Sequence, residues 1–251
     1  MKLVRFQAGE RTACGILDGA QVAELAGDFF SVFKTLKACH ALSGIKLIAP
    51  CSPSKIVAAG LNYRDHAEEL GFPLPETPII FLKPPTSVIG PDDSILLPPR
   101  AGRIDYEAEL GVVIRSRTRN ILPDEAQEHI LGYTCVNDVT ARDLQKQDGQ
   151  WTRAKSFDTF CPVGPWIETD LDPDNLLVEA YLNNERKQSS RTGQFIFNVP
   201  FLVSFISRIM TLEPGDLIIT GTPSGIGPMQ PGDTIEVRIE GIGSLKNNVR
   251  E

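Results

Sequence analysis

Turn-forming residues punctuate this chain at short intervals and leave room for many short strands but few helices. Its 251 residues include 21 Gly and 19 Pro. Between them lie runs of strand length: Lys55 to Ala59, Ile79 to Leu82, Ser94 to Leu97, Tyr106 to Ile114, Leu131 to Asn137 and Leu176 to Leu182. The turns Pro214-Gly215-Asp216 and Pro231-Gly232-Asp233 each feed a β-rich run, Leu217 to Thr220 and Thr234 to Ile239. Asn183-Asn184 suits a turn with positive φ at both central positions and sends the chain toward Phe195-Ile196-Phe197. Two segments have helical spacing. Phe29 to Ala41 repeats Phe30, Phe33, Leu36 and Lys37 at three- and four-residue steps, and Asn198 to Met210 is apolar behind an Asn cap. The pattern is that of an α+β, mostly-β fold. Punctuation at Ile48 to Pro53 divides it into a small β-rich module, residues 1-50, and a main domain, residues 51-251.

Charge and cysteine usage narrow the partners. A net charge of -7 argues against nucleic acid or an anionic membrane surface as the main partner. The five cysteines are odd in number and contain no C-x-x-C pair, so neither a disulfide framework nor a structural zinc site is expected. Met1 to Phe6 lacks the apolar core of a signal peptide, and no window approaches the roughly 18 apolar residues of a membrane helix. The reading is a cytoplasmic protein with no membrane segment.

Ile104 to Ile114 carries the most chemical information. Residues two apart in a strand share a face, so Glu107 and Glu109 lie together and repel unless that face is wet or holds a cation. A solvated strand edge has the same pattern. However, the apolar run Leu131 to Val139 ends in Asn137-Asp138, and Asp138 offers a third hard oxygen ligand. Three carboxylates suit Mg²⁺ or Mn²⁺, whereas zinc normally takes Cys or His.

Of three histidines, His66 has a usable neighbour: in a helical turn Glu69 is at i+3, where its carboxylate would fix the imidazole tautomer and raise its basicity. A casual contact on a surface helix would look the same. His129 lies in a polar stretch and reads as solvated, and His40 follows the first helical segment without a partner. Arg142 and Lys155 are cations able to neutralise a substrate carboxylate. Gly221 to Gly227 is a Gly-rich turn that can present backbone N–H groups to an anion, but it lacks the Gly-Lys-Ser/Thr of a P-loop.

Taken in order, several segments resemble the fumarylacetoacetate hydrolase family: Asn62-Tyr63-Arg64-Asp65-His66-Ala67-Glu68-Glu69, Phe81-Leu82-Lys83-Pro84, Asp105-Tyr106-Glu107-Ala108-Glu109-Leu110, Asn137 to Gln145, Lys155-Ser156-Phe157-Asp158, Gly164-Pro165 and Gly221 to Gly227. They span most of the chain from Lys55 to Glu251. The resemblance implies a mixed β-sandwich roll, a homodimer, and Mg²⁺ or Mn²⁺ on Glu107, Glu109 and Asp138. It further implies a base dyad of His66 and Glu69 on a short helix that orders over ligand, with Lys155 catalytic and Arg142, Gln145 and Thr222 touching substrate. Larger eukaryotic hydrolases of this family carry an aspartate ligand near position 62, where this chain has Asn62. The departure points to the compact branch. The implied activity is enolate chemistry on a small 2-oxo acid. Acylpyruvate C–C hydrolysis is the leading outcome. Isomerisation of the 2-hydroxyhepta-2,4-diene-1,7-dioate type and oxaloacetate-type decarboxylation are alternatives, as is a catalytically silent 2-oxo-acid binder.

Overall fold

Alternation along Ala108–Ile114 determines how the layers stack. Every residue of this strand is buried. Leu110, Val112 and Ile114 enter an apolar cluster of 35 residues, and Val113 enters a separate cluster of 14. A strand covered on both faces belongs in the middle of a sheet rather than at its rim. The computed structural model, which describes residues 1–251, has it inside a 12-stranded mixed sheet. Its antiparallel neighbours are Ile130–Asn137, with Leu110 opposite Cys135, and Leu217–Ile219, with Val112 opposite Ile218. Next come Ile56–Ala59, parallel to Leu217–Ile219, and the edge strand Ile80–Lys83.

A second, five-stranded sheet runs in the order Glu185–Arg191, Leu177–Leu182, Thr234–Ile239, Gly243–Arg250, Ser94–Leu96. Its Val178, Ala180, Ile235, Val237 and Leu245 belong to the 35-residue cluster that also takes Leu110 and Val112, so the two sheets form a sandwich. The mixed, mostly-β architecture expected from the sequence is therefore present. The first residues extend the large sheet. Lys2–Ala8 pairs with Cys161–Glu168, Leu3 facing Ile167, and Arg11–Asp18, Gln21–Ala26 and Lys34–Ala41 follow outward.

Three local expectations need correction. Phe29 to Ala41 is not helical: Lys34–Ala41 is an edge strand paired to Gln21–Ala26, and Phe29, Phe30 and Phe33 pack as loop residues against the 14-residue cluster. Their spacing reflects one buried and two half-buried rings carried by a loop, and pairing with the neighbouring strand overrides the helical period. Asn183 and Asn184 do adopt positive φ, 51° and 66°. The chain returns from that turn as the polar strand Glu185–Arg191, and Phe195 lies beyond it. Finally, the run through Tyr106 and Ile114 is two strands. Ile104–Tyr106 joins a three-stranded sheet and Ala108–Ile114 the large one, with Glu107 at the crossover.

The helix Val199–Ile209 matches its expected limits closely, and the Asn198 side chain accepts from the Phe201 N–H at 3.0 Å. No helix is long and apolar enough to cross a membrane. All five cysteines are free, with Cys51, Cys135 and Cys161 buried.

The Pro214-Gly215-Asp216 turn holds a structural acid. Asp216 is fully buried and accepts from the Ser54 N–H at 2.9 Å, Ser54 Oγ at 2.7 Å, the Lys55 N–H at 3.1 Å and the Glu213 N–H at 2.8 Å, and it pairs with the Lys55 ammonium. It thereby anchors the start of Ile56–Ala59 beside Leu217–Ile219. Asp216→Ala strands these donors and is expected to cost about 3 kcal/mol, roughly 10 °C in Tm by calorimetry. A change under about 1 kcal/mol would contradict this anchoring role.

Candidate active site

Glu107 and Glu109 lie where the chain leaves one sheet for the other, and Asp138 follows the last residue of the adjacent strand Ile130–Asn137. The Asp138 N–H donates to the Glu107 carbonyl at 2.9 Å, which fixes the two segments relative to each other. One carboxylate oxygen from each of Glu107, Glu109 and Asp138 lies within 4.8 Å of the others, and all three residues are buried.

Cations surround this cluster unevenly. Lys155 Nζ donates to Glu107 Oε2 at 2.8 Å and to Asp138 Oδ2 at 2.6 Å, and it sits 5.0 Å from the centroid of Phe81. Lys83 Nζ reaches Asp138 Oδ1 at 2.6 Å. Arg142 pairs with Glu107 through Nη2, with Asp105 Oδ2 through Nε at 2.9 Å, and donates to Gln145 Oε1 at 2.6 Å. Burial raises the Glu107 pKa, but Lys155 and Arg142 outweigh it and hold the carboxyl well below the usual range. Glu109 goes the other way. Burial, then the charges of Asp138 and Glu107, push its pKa well above normal. Its direct partner is the Gly221 N–H at 2.6 Å, and no cationic side chain touches it.

A divalent cation fits this arrangement. The donor set is three hard oxygens, the group that lacks a counter-charge faces two other carboxylates, and zinc-type ligands are absent from the cluster. Two buried donors nearby, Tyr63 OH and Asn137 Nδ2, have no partner in the chain.

His66 and Glu69 lie on the short helix Arg64–Leu70, which ends at Gly71 with φ 67°. His66 Nδ1 is 2.8 Å from Glu69 Oε2, so the carboxylate accepts the Nδ1 proton and Nε2 is left as the basic nitrogen. Glu69 Oε1 accepts from the Gly225 N–H at 3.0 Å. The loop Gly221 to Gly227 therefore touches Glu109 at one end and Glu69 at the other. Thr222 lies in the same loop, with Oγ1 donating to the Ala108 carbonyl at 3.0 Å.

Residues 55–250 match the family model described as fumarylacetoacetate (FAA) hydrolase C-terminal. The chain belongs to the fumarylacetoacetate hydrolase family. Residues 1–50 match a second model, Rv2993c-like, N-terminal. A 2-hydroxyhepta-2,4-diene-1,7-dioate isomerase structure from Mycobacterium marinum is 43% identical with a TM-score of 0.94, covering 100% of this chain and 98% of that one. Maleylpyruvate hydrolase from Sphingobium sp. SYK-6, solved with manganese(II) and pyruvate, is 28% identical with a TM-score of 0.84, covering 100% and 99%. The mitochondrial oxaloacetate tautomerase fahd2 of Xenopus laevis is 37% identical and covers 99% of this chain and 90% of its own length.

In this member of the fumarylacetoacetate hydrolase family, Glu107, Glu109, Asp138, Lys155, Arg142 and Gln145 form one connected cluster. His66, Glu69 and Thr222 join it through the Gly221 to Gly227 loop. Asn62 does not turn toward the carboxylates. Its Nδ2 donates to the Thr220 carbonyl at 2.7 Å and the Phe197 carbonyl at 3.1 Å, while Oδ1 accepts from the Phe197 N–H at 2.8 Å, making it a backbone clip. The two remaining histidines are not as the sequence suggested. His40 Nε2 contacts Glu24 Oε2 at 2.9 Å, and His129 Nδ1 lies 3.0 Å from Thr118 Oγ1 and 3.1 Å from Ser116 Oγ. Both pair with residues brought close by strands that local sequence does not reveal.

Sequence reasoning assigned no role to Lys83 or Asp105. Each is a charged residue within an apolar strand, which is the available signal: Lys83 closes Ile80–Lys83, and Asp105 is the middle residue of Ile104–Tyr106, fully buried between Arg103 and Arg142.

Proposed function

We propose that this chain enolises a small 2-oxo acid, with Glu107, Glu109 and Asp138 as ligands to one Mg²⁺ or Mn²⁺. Glu109 carries the reading: a buried carboxylate without a cationic partner, facing two others, is a costly arrangement unless a cation binds there. The bound ion supplies a Lewis acid for negative charge developing on the C2 oxygen.

The chain's own residues do the rest. His66 Nε2 accepts the proton to be moved, and Glu69 stabilises the imidazolium that results through Nδ1–H. Lys155 and Arg142 keep positive charge beside the carboxylates and meet the carboxylate of the substrate, with Gln145 oriented through Arg142. Thr222 meets the substrate from the Gly-rich loop. Acylpyruvate C–C hydrolysis follows if the proton taken by His66 comes from a water that attacks the distal carbonyl. The C3–acyl bond then breaks, and C3 is protonated to give pyruvate. A second reading, isomerisation or keto–enol tautomerisation, has its support in the 43% identity to the M. marinum isomerase and the 37% identity to the Xenopus tautomerase. The same reading includes a homodimer, which light scattering checks.

Pyruvate release from acetylpyruvate, coupled to NADH consumption in the presence of Mg²⁺ or Mn²⁺, is expected from the wild type and is lost in Glu109→Ala and His66→Ala. If folded, metal-loaded protein releases none but speeds ketonisation of enol-oxaloacetate, tautomerisation replaces hydrolysis. Failure of both activities removes the enolisation reading.

A further inference from the structure

The polar hairpin strand Glu185–Arg191 is exposed except at Gln188, which is 1% exposed, and at the half-buried Ser190. Pairing slips beside it: Ala180 faces Gln188 but Tyr181 faces Arg186, leaving Lys187 as the extra residue of a β-bulge. Bulges re-aim side chains and are frequent beside active sites. Here the loop carrying Thr222 rests directly on the bulge. A Cβ at Gly225, whose φ is 93°, would stand 2.3 Å from the Lys187 carbonyl oxygen.

The Gln188 side chain ends on the backbone of Ala108, the residue between Glu107 and Glu109 in the chain. Because the Asp138 N–H donates to the Glu107 carbonyl, Ala108 and Asn137 are a non-hydrogen-bonded pair, and the Ala108 N–H and C=O point to the opposite side. The neighbouring strand Leu217–Ile219 reaches only as far as Gly111, with one further bond from the Thr220 N–H to the Leu110 carbonyl. Side chains complete the ladder. The Ala108 N–H donates to Gln188 Oε1 at 2.9 Å, Gln188 Nε2 donates to Thr222 Oγ1 at 2.9 Å, and Thr222 Oγ1 donates to the Ala108 carbonyl at 3.0 Å. The second Nε2 proton goes to the Pro223 carbonyl at 2.8 Å. This ring has one sense only: a flipped amide would set its NH₂ against the Ala108 N–H and its oxygen against the Pro223 carbonyl.

We propose that Gln188 is a positioning residue for the metal carboxylates, an inference that rests on reading Glu107 and Glu109 as ligands. It clamps both polar groups of Ala108, the residue between the two ligands, directly and through Thr222. Rotation of either peptide there would swing the glutamates out of register. The Thr222 hydroxyl proton is committed to this ring, so its contact with a bound acid uses the backbone N–H.

The test is Mn²⁺ titration of the full chain, read by EPR of free Mn²⁺, with the metal-free Tm measured in parallel. Gln188→Leu and Thr222→Val are expected to weaken Mn²⁺ binding about 10- to 100-fold, the range typical of residues that support metal ligands. Thr222→Ser, which keeps the hydroxyl, retains wild-type affinity, and the double variant Gln188→Leu/Thr222→Val binds no more weakly than its weaker parent. Unchanged Mn²⁺ affinity in both single variants, even with a lowered Tm, would reduce Gln188 to ordinary packing and overturn the inference alone. If Gln188→Leu does not fold, Thr222→Val against Thr222→Ser decides the matter. A wild type that binds no Mn²⁺ overturns this inference together with the proposed function.

Discussion

Glu109→Gln is expected to raise the Tm of the metal-free protein and to abolish its response to Mg²⁺ or Mn²⁺. The glutamine keeps an oxygen for the Gly221 N–H and removes a buried charge that no cationic side chain contacts. The gain is about 1–2 kcal/mol, or roughly 2–8 °C for a chain of this size. In the wild type, metal at about 100 times its Kd should add about 2.7 kcal/mol, and the variant should show none of it. Burial and the charges of Asp138 and Glu107 hold the Glu109 pKa above its unfolded value of about 4.3. Folding therefore takes up a proton, and the metal-free wild type loses stability as pH rises from that value through the raised folded-state value. Glu109→Gln should lack this loss. Turnover of the variant should fall by about 10³-fold or more, since a Lewis acid contributes several kcal/mol to such chemistry. A variant that is less stable without metal, or that still responds to it, would remove Glu109 from the ligand set.

His66→Ala separates proton transfer from metal binding. His66 contacts Glu69 and none of the three clustered carboxylates. The variant should bind Mn²⁺ as the wild type does and lose turnover by about 10²- to 10⁴-fold, the usual contribution of a positioned general base. Glu69→Gln should lie between, because it keeps a hydrogen-bond acceptor for Nδ1–H but no longer stabilises imidazolium. A kcat within about threefold of wild type in His66→Ala would move the base elsewhere.

Local periodicity carried a good part of this site. The period of two along a strand brings Glu107 and Glu109 to one face, and the i, i+3 spacing brings His66 to Glu69. The crossover at Glu107 was not legible, because the same alternating pattern reads as one strand whether or not it changes sheets. Phe29 to Ala41 misled for the opposite reason. Three rings on a loop, Phe29 buried and Phe30 and Phe33 half-buried, mimic a helical stripe, while Lys34–Ala41, exposed almost throughout, has too little apolar alternation to announce a strand. Glu185–Arg191 was missed on the same grounds: its inward residues, buried Gln188 and half-buried Ser190, are polar and give no apolar alternation. Lys83 and Asp105 were visible as charges in apolar surroundings, but the partners that tie them to the site, Asp138 and Arg142, lie more than thirty residues away.

In the proposed reaction a cation on Glu107, Glu109 and Asp138, together with His66, moves a proton at C3 of a 2-oxo acid. Proton NMR of a 2-oxo acid in deuterated water follows that step whatever the final product. The expected result is C3 deuteration that requires Mg²⁺ or Mn²⁺, is suppressed by oxalate, and is lost in both Glu109→Gln and His66→Ala. Folded, metal-loaded protein that binds oxalate yet leaves the C3 protons of acetylpyruvate, oxaloacetate and pyruvate at the uncatalysed exchange rate would contradict it.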